Sequence, residues 1–389
     1  MGIQMVGDSE KITNQLFDVA VVGGGLAGLT LSIQLAKKGW SVLLFEKNRY
    51  PFHKVCGEYI SMESWNFLER IGTPLSELNL PRINKLHVSS PNGKIISSHL
   101  NPGGFGISRY KLDSLLADIA VKNGVRIFDS TKVTSISFSE NFHHITTTET
   151  HYKSKVVAGT YGKRSNLDKL LGRDFISKPK QSNTNFIGVK YHVEADLPSN
   201  LIELHNFEDG YCGISKIEDN RYCLCYLTTE KMLHKSGSDI KEMENKYLRK
   251  NPFLKNYFDN FPILYNQPLV ISQISFEKKS LVEDHILMVG DSAGLITPLC
   301  GNGMSIAMNS ALIASELTDQ FLTGNITRNQ LEMSYSLRWK SEFSNRLFAG
   351  RSLQKLFGNS HLTNLVIAGL KPFPKTVSKL IDLTHGNGF

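Results

Sequence analysis

The chain has 389 residues, of which 41% are hydrophobic and 21% are charged, so it is long enough to form more than one buried core. Its formal net charge is +8, and its lysines and arginines are spread along the sequence, which argues against a nucleic-acid partner. No run of 18 apolar residues occurs, and the first 15 residues lack the apolar stretch of a secretory signal. We therefore expect a cytoplasmic protein.

The sequence contains five cysteines, and none of them forms a Cys-x-x-Cys pair. An odd number without such pairs favours reduced thiols over disulfides or a zinc site. Cys223 and Cys225 share one face of a predicted strand, but no cluster of histidines accompanies them. We therefore expect no bound metal.

A strand, a glycine-rich turn, a helix and a second strand are predicted within residues 17–47. Gly23 is expected to make the bend, Gly25 to let the backbone approach a pyrophosphate, and Gly28 to let the helix pack on the strand. The helix N-terminus offers N–H groups and the positive end of its dipole to phosphates. Glu46 ends the second strand, where a carboxylate binds the ribose hydroxyls of an unphosphorylated adenosine. This segment predicts a dinucleotide cofactor.

The following loop carries the pattern Lys-x-Cys-Gly-Glu-x-x-Ser from Lys54 to Ser61. A loop of this kind, so soon after a βαβ unit, resembles the geranylgeranyl reductase group of FAD-dependent enzymes, within the wider p-hydroxybenzoate hydroxylase-like flavoprotein superfamily. The resemblance implies that the loop runs beside the isoalloxazine ring and that Cys56 and Glu58 are catalytic. Cys56 would donate a proton or position the substrate; the alternative is a small side chain that fills a gap.

Two alternating segments at 85–90 and 94–100 flank a Pro-Asn-Gly turn and predict a hairpin of a substrate-side sheet. The next pattern, Arg-x-x-Leu-Asp-x-x-Leu, starts a helix at Arg109 that is predicted to end near Lys122. In the superfamily this arginine lies near the phosphates and ribityl chain of FAD. The resemblance therefore makes Arg109 a cofactor-binding residue.

Three short strands are predicted at 125–128, 133–138 and 144–150. They resemble the small β-meander that these flavoproteins insert before the chain returns to the Rossmann sheet at 155–158. At that return the family carries Ala-Asp-Gly-x-x-Ser, which is linked to FAD and to reduced nicotinamide, whereas this chain has Tyr161 at the aspartate position. The electron donor therefore stays open between NADPH and a separate protein.

Strands dominate residues 183–228, the predicted main part of the substrate-side sheet. Relatives often carry a Tyr-x-Trp-x-Phe-Pro-Lys segment there, and the nearest match begins at Tyr211 but lacks the tryptophan and the proline. We assign Tyr211 as a catalytic candidate and expect a pocket for a bulkier or differently shaped substrate.

A second signature of the superfamily follows the buried strand 286–289 as Gly-Asp-x-Ala-Gly, then a proline and Gly-x-Gly before a helix. Asp291 would accept a hydrogen bond from a ribityl hydroxyl. The N–H groups of residues 301–304 would face the N1–C2=O edge of the flavin, where negative charge collects on reduction. With this second segment, FAD is favoured over NAD.

The resemblance implies one bound FAD, and we expect it to be noncovalent because no histidine or cysteine is marked as a linkage site. The predicted cofactor-binding residues are Gly23, Gly25, Leu26, Ala27, Gly28, Glu46, Lys47, Lys54, Cys56, Gly57, Arg109, Val133, Gly159, Gly290, Asp291, Pro298, Gly301, Asn302, Gly303 and Met304.

We therefore predict an α/β protein that consists of a Rossmann-type FAD-binding domain (three-layer ββα), an inserted antiparallel β-sheet substrate domain and a helical C-terminus. The expected boundaries are 16–80, 101–180 and 277–325 for the FAD-binding domain, 81–100 and 181–276 for the substrate domain, and 326–389 for the C-terminal helices.

The predicted activity is FAD-dependent reduction of a double bond in an apolar substrate such as a prenyl chain. Two alternatives stay open: a flavin monooxygenase that hydroxylates an aromatic substrate, and a non-catalytic flavin-binding or electron-carrier module. The expected partners are an apolar small molecule and an electron-donor protein. An apolar patch at 365–370 precedes Lys371, Lys375 and Lys379, and we favour packing on its own domain over contact with a membrane surface.

Overall fold

The computed structural model describes residues 15–177, 185–297, 301–356, 360–372, 374–382 and 386–389. Within these ranges the strands form two sheets of eight strands each. Pro298, which was predicted to bind the cofactor, lies outside the described residues.

The first sheet contains the glycine-rich turn. Its strands are β1 (Leu16–Val22), β2 (Val42–Phe45), β6 (Arg126–Phe128), β7 (Val133–Ser139), β8 (Phe142–Thr147), β9 (His151–Gly159), β15 (Val282–Glu283) and β16 (Ile286–Met288). The second sheet contains β3 (Tyr59–Ser61), β4 (Arg82–Ser89), β5 (Ile95–Gly106), β10 (Phe186–Glu194), β11 (Leu201–Phe207), β12 (Gly210–Lys216), β13 (Arg221–Thr229) and β14 (Leu269–Ile274).

The helices follow the same chain order. They are α1 (Leu26–Lys37), α2 (Trp65–Ile71), α3 (Arg109–Lys122), α4 (Asn166–Leu170), α5 (Asp174–Ser177), α6 (Glu230–Lys235), α7 (Ile240–Lys246), α8 (Pro252–Asn260), α9 (Gly303–Leu322), α10 (Arg328–Leu356), α11 (Ser360–Leu370) and α12 (Pro374–Asp382).

The first sheet has the strand order β15-β16-β9-β1-β2-β6, and its strands from β16 to β6 run parallel. Val21 of β1 lies between Leu44 of β2 and Ala158 of β9 in register. β2 is buried along its whole length, as expected for a parallel strand covered on both faces. Helix α1 packs against β1 and β2, and α3 and α9 lie beside it. Because β1, β2 and β9 run parallel, their carboxyl ends meet at one edge of the sheet.

The three strands predicted at 125–128, 133–138 and 144–150 do not form one meander. β6 pairs with β2 in parallel and therefore belongs to the Rossmann sheet, because α3 carries the chain across in a second βαβ connection. The antiparallel ribbon consists of β7, β8 and the first half of β9. β8 ends at Thr147, and β9 begins at His151, earlier than predicted.

The second sheet is mostly antiparallel, with the order β14-β10-β13-β12-β11-β4-β5-β3. The predicted hairpin is present as β4 and β5. β5 continues to Gly106, where it pairs with β3, so this sheet reaches the loop after β2. A Rossmann-type α/β fold with an additional antiparallel sheet and a helical C-terminus is therefore confirmed.

The C-terminal helices pack on both sheets. α10 lies against α9, and Arg346 of α10 pairs with the buried Glu63 at 2.9 Å. The Gly386 N–H donates to the same carboxylate at 2.9 Å. Ile367 of α11 and Val377 of α12 join the core beneath β4 and β5. Among the described residues, no helix is both long and apolar enough to cross a membrane.

Candidate active site

The turn between β1 and α1 is shaped by close backbone packing. Gly23 has a φ of +116°, and a Cβ on Gly28 would lie 2.0 Å from the Gly23 carbonyl oxygen. A Cβ on Gly25 would instead meet only Arg109 and Lys54, each at 3.6 Å. No side chain caps the start of α1, so its first N–H groups face this space.

Glu46 is fixed at the end of β2 by hydrogen bonds to its carboxylate. The Gly24 N–H donates to Oε2 at 2.9 Å, and the backbone and side-chain N–H groups of Asn48 donate to Oε1 at 3.0 and 3.1 Å. The buried Tyr50 hydroxyl donates to the Gly24 carbonyl at 2.6 Å. The acidic group predicted to bind ribose is therefore held rigidly next to the glycine-rich turn.

Two cations and one carboxylate meet opposite Gly25. Arg109 donates two hydrogen bonds of 2.7 Å to the two oxygens of Asp113, and the Lys54 ammonium lies 3.1 Å from the same carboxylate. Burial lowers the pKa of Arg109, but the charge and hydrogen bonds of Asp113 outweigh burial and raise it. Both cations border the space in front of α1, where they suit a pyrophosphate.

Glu58 is fully buried and has a φ of +56°, so its backbone is held in the left-handed region. One oxygen accepts the Arg109 N–H at 2.8 Å and the Lys190 ammonium, and the other lies 2.6 Å from His192 Nε2. Burial raises the pKa of Glu58, but the His192 hydrogen bond and the Lys190 charge lower it overall. The Lys190 ammonium also donates to the Lys54 carbonyl at 3.2 Å. This network ties the loop after β2 to β10 of the second sheet.

The start of α9 forms the opposite side of the same cavity. Gly301 has a φ of +68°, and its Cβ position lies 3.0 Å from the Tyr59 ring. Asn302 is buried and provides no side-chain cap for the helix. The N–H groups at the start of α9 therefore face the cavity that Gly303 lines.

The cavity between the two sheets has a volume of about 640 Å³. Its polar end is lined by the glycine-rich turn and by Lys47, Lys54, Arg109, Lys163 and Arg164. Its other end is lined mostly by residues of the second sheet: Gly188, Ile202, Leu204, Gly213, Ile214, Leu227, Leu269, Val270, Ile271 and Ile274. The cavity thus offers positive charge at one end and an apolar surface at the other.

Two polar atoms in the cavity wall have no hydrogen-bond partner among the described residues. They are the Tyr59 hydroxyl and the Ser215 hydroxyl, and both side chains are buried. Buried polar groups are normally paired, so these two hydroxyls suit polar atoms of a bound molecule.

Most predicted site residues line this one cavity. They are Gly23, Gly25, Leu26, Ala27, Glu46, Lys47, Lys54, Cys56, Gly57, Glu58, Arg109, Tyr211, Asp291, Gly301, Gly303 and Met304. The structure places the remaining described ones behind the wall: Gly28, Val133, Gly159, Gly290 and Asn302. A Cβ on Gly290 would lie 2.9 Å from Ala27, so this glycine acts through packing.

Cys56 lies between the loop after β2 and α9. Its Sγ is 3.6 Å from the Met304 sulfur, and its carbonyl accepts a hydrogen bond from the buried Cys223 thiol at 3.2 Å. The side chain is half-buried and lines the cavity. The four described cysteines, Cys56, Cys212, Cys223 and Cys225, are all free thiols.

Tyr161, at the position where the family has aspartate, also lines the cavity. Its hydroxyl donates to Asp168 at 3.2 Å, and Asp168 forms a fully buried salt bridge with Arg173 at 2.8 Å. Burial and the neighbouring Asp168 charge raise the pKa of Tyr161. The Asp168 carboxylate is thus paired with Arg173 behind the cavity wall.

Sequence reasoning missed Asp113, Lys190 and His192. Asp113 belongs to the Arg-x-x-Leu-Asp pattern that begins at Arg109, but no role was predicted for it. Lys190 and His192 alternate on one face of the otherwise apolar β10, and two polar residues at a spacing of two within a buried strand signal a buried network.

Glu58, His192 and Cys223 also bring three potential metal-ligand atoms within 4.8 Å of one another. The Lys190 ammonium already binds the Glu58 carboxylate there. Because a second positive charge would be repelled at this point, the cluster is better suited to hydrogen bonding than to a metal ion.

The residues present fit FAD. Any residue larger than glycine at position 25 would place a Cβ in the space that the pyrophosphate needs. The start of α1, Lys54 and Arg109 border the same space and suit the charge of a pyrophosphate. Glu46 would hold the ribose, and the start of α9 would face the flavin ring.

Two curated relatives match nearly the whole chain. Conditioned medium factor receptor 1 from Dictyostelium discoideum is 25% identical over 84% of this chain and 68% of its own length. Digeranylgeranylglycerophospholipid reductase from Methanococcus vannielii is 26% identical over 90% of both chains. The predicted resemblance to the geranylgeranyl reductase group is thereby confirmed.

Solved structures share the fold. A geranylgeranyl bacteriochlorophyll reductase-like protein from Thermoplasma acidophilum superposes with a TM-score of 0.69 and 20% identity, over 96% of this chain and 92% of that one. CmlS, a flavin-dependent halogenase, superposes with a TM-score of 0.73 and 18% identity over 85% of this chain. This chain spans 63% of the halogenase, less than two thirds of its length.

The family model described as FAD binding domain matches residues 17–337, which include the glycine-rich turn, the whole second sheet and α9. With this match covering most of the sequence, the chain belongs to the FAD binding domain family.

Proposed function

We propose that the protein is an FAD-dependent reductase of double bonds in an apolar, prenyl-type substrate. The observation that carries the proposal is the continuity of the cavity: the aliphatic wall formed by the second sheet opens directly onto Cys56 and the start of α9. An apolar chain lying along that wall would bring a double bond to the flavin. Bound, reduced FAD would supply a hydride.

The names of relatives support this substrate class. The Methanococcus vannielii protein and a relative from Methanocaldococcus jannaschii, which is 26% identical over 88% of this chain, are both digeranylgeranylglycerophospholipid reductases. A digeranylgeranyl chain is long and unsaturated, in keeping with the apolar end of the cavity.

In this proposal the chain's own residues have separate tasks. Gly25, Lys54 and Arg109 bind the pyrophosphate, and Glu46 binds the ribose. Cys56, which lines the cavity beside Met304, would donate a proton or position the substrate, with Glu58 and Tyr211 as further catalytic candidates. Residues 16–80, 101–180 and 277–325 would carry FAD, 81–100 and 181–276 the substrate, and 326–389 would form the C-terminal helices.

Two alternatives predict different products. A monooxygenase would hydroxylate an aromatic substrate, but the substrate end of this cavity is mainly aliphatic. The name of the Dictyostelium discoideum relative is that of a receptor, which corresponds to a non-catalytic module. The half-buried Cys56 thiol and the unpartnered Tyr59 and Ser215 hydroxyls in the cavity favour an enzyme.

We further propose that electrons come from a separate donor protein and that the protein works in the cytoplasm, where the four free cysteines would stay reduced. Leu365 is 71% exposed on α11, close in sequence to Lys371 and Lys379. Ile367 and Val377 pack inward, so these helices are held by their own core, and membrane contact would be peripheral at most.

The test is mass spectrometry of a digeranylgeranyl lipid after incubation with FAD-loaded, dithionite-reduced protein. A gain of two hydrogens per double bond supports the proposal, and a gain of one oxygen under air with an aromatic substrate supports the monooxygenase. Gly213→Leu should fill the apolar end, because its Cβ position already lies 3.2 Å from Leu204. This variant should keep FAD and lose lipid reduction; unchanged lipid after incubation with the wild type would refute the proposal.

A further inference from the structure

A chain of hydrogen-bonded side chains leads outward from Glu58. His192 Nε2 lies 2.6 Å from Glu58 Oε2, and its other ring nitrogen, Nδ1, is hydrogen-bonded to the Tyr265 hydroxyl. The same hydroxyl lies 3.1 Å from Nδ1 of His53. Four titratable groups from three segments, the loop after β2, β10 and the segment before β14, are thus joined in one line.

Only the His53 end of this line also borders the surface pocket. Glu58 lines the main cavity, whereas His53 lines both that cavity and a surface pocket of about 530 Å³. Tyr110 and Arg221 also border the surface pocket, and the Tyr110 ring stacks on His53 with centroids 4.6 Å apart. The line therefore connects a solvent-facing pocket with the wall of the cavity.

The hydrogen bonds have a consistent direction. A carboxylate only accepts, so His192 Nε2 carries a proton and donates it to Glu58. With Nε2 as the donor, Nδ1 can accept a hydrogen bond from the Tyr265 hydroxyl, whose oxygen can in turn accept from His53. Each atom is thereby placed to pass a proton inward.

We propose that His53, Tyr265, His192 and Glu58 form a proton path that supplies the main cavity from the surface. This rests on the proposed function, because reducing a double bond consumes one hydride from the reduced flavin and one proton. In each transfer a proton from the surface pocket binds His53, and His53 passes a proton to the Tyr265 oxygen. The original hydroxyl proton of Tyr265 moves to His192 Nδ1, and the proton on His192 Nε2 moves to Glu58. N–H and O–H bonds break and form in equal number, and no electron moves along the path.

The surroundings of the path disfavour retention of a proton on it. Burial and the Lys190 charge lower the pKa of His53 to about 4, so it holds a proton only briefly at neutral pH. Lys190 and the hydrogen bond from His192 also lower the pKa of Glu58, which makes its protonated form a ready donor. Among the described residues, Cys223, Arg221, Glu218 and Tyr110 are further ionisable groups beside the path.

The test uses the protein with oxidised FAD bound and ¹⁵N-labelled histidine, and it measures how fast the His192 Nε2–H exchanges with solvent. Tyr265→Phe removes the central hydroxyl and keeps the ring. We expect exchange at least about tenfold slower, because only transient opening of the buried site then admits solvent. The ¹⁵N shifts should show that Nε2 still carries the proton.

Tyr110→Phe is the matched control, since it removes a phenol that stacks on His53 outside the path, and its exchange rate should equal that of the wild type. His53→Asn interrupts the entrance and should slow exchange as well, so the test stands if Tyr265→Phe fails to fold. Wild-type exchange in the folded interrupted variants would overturn the proposal. Since no substrate is present, this result is independent of whether the lipid is reduced.

Discussion

The Tyr161 hydroxyl donates a hydrogen bond to Asp168, and that carboxylate is at the same time paired with the fully buried Arg173. Tyr161 lines the cavity at the position where the predicted family pattern has an aspartate. Asp168 cannot take over that role, because its oxygens are already bound to Tyr161, Arg173 and the Ser165 N–H.

From this relationship we predict slow or absent reduction of the bound flavin by NADPH. The measurement is anaerobic mixing with NADPH, followed at the flavin absorption band, with dithionite as the control that shows the flavin to be reducible. Prompt bleaching by NADPH alone would contradict both this prediction and the need for a donor protein.

Substitutions at two glycines of the glycine-rich turn should have different effects, one on FAD binding and one on stability. Gly25→Val should fold but retain no FAD, because the added carbons fill the space in front of Arg109 and Lys54. Gly28→Ala should lower the free energy of unfolding by about 1–3 kcal/mol or more, because its Cβ would lie 2.0 Å from a backbone oxygen. Urea unfolding and flavin absorbance distinguish them; equal stability of Gly28→Ala and the wild type would count against this packing.

Cys56 is predicted to act in turnover and not in cofactor retention. Cys56→Ser should keep FAD and its chemical reduction yet lose at least about tenfold in turnover, because a hydroxyl is a far weaker acid than a thiol. Cys56→Ala should be at least as impaired. If both variants turn over the lipid at the wild-type rate, Cys56 only packs against Met304.

His143 predicts an acid-sensitive contribution to stability. Its imidazole is fully buried beside Phe138 without a hydrogen-bond partner among the described residues, and burial lowers its pKa to about 3. In the unfolded chain this histidine has an ordinary pKa near 6.5. Between about pH 3 and 6.5 it is therefore protonated in the unfolded chain and neutral in the folded protein. Stability should therefore fall as the pH drops from about 6.5 towards 3, by roughly 1.4 kcal/mol per pH unit for this group.

His143→Phe should remove that slope. Replacing an unpaired buried imidazole by an apolar ring should also raise stability at neutral pH by about 1 kcal/mol. The free energy of unfolding, measured at pH 7.5, 6 and 5, gives both quantities. Parallel curves for variant and wild type would show that His143 does not titrate on unfolding.

The sequence predicted the elements that depend on local signals. The bounds of α3, the hairpin of β4 and β5, and the strand, turn and helix at the start of the chain agree with the structure because periodicity and glycine spacing specify them. The strand that pairs with β6 could not be predicted from the local sequence. Over three residues, an edge strand of a parallel sheet and a strand of a meander have the same sequence pattern.

In the candidate site, too, some residues could be predicted from local motifs, whereas others come together only through the fold. Gly25, Glu46 and Arg109 were predicted from motifs, and they line one cavity. The pairing of Glu58 with Lys190 and His192 joins residues more than a hundred positions apart, and only the folded second sheet brings them together. Val133 was predicted to contact the cofactor, but it begins β7 and is buried within the core of the first sheet.

The pairing of β9 with β16 also bears on how this protein is made. The ribosome completes β1, β2 and β9 early, yet the neighbour that covers the other edge of β9 comes only after the entire second sheet has been synthesised. Such late, non-local pairing slows folding and leaves an unprotected strand edge on the nascent chain. We expect FAD to be captured only after α9 has emerged, so a supply of the vitamin precursor of FAD during expression should raise the yield of folded protein.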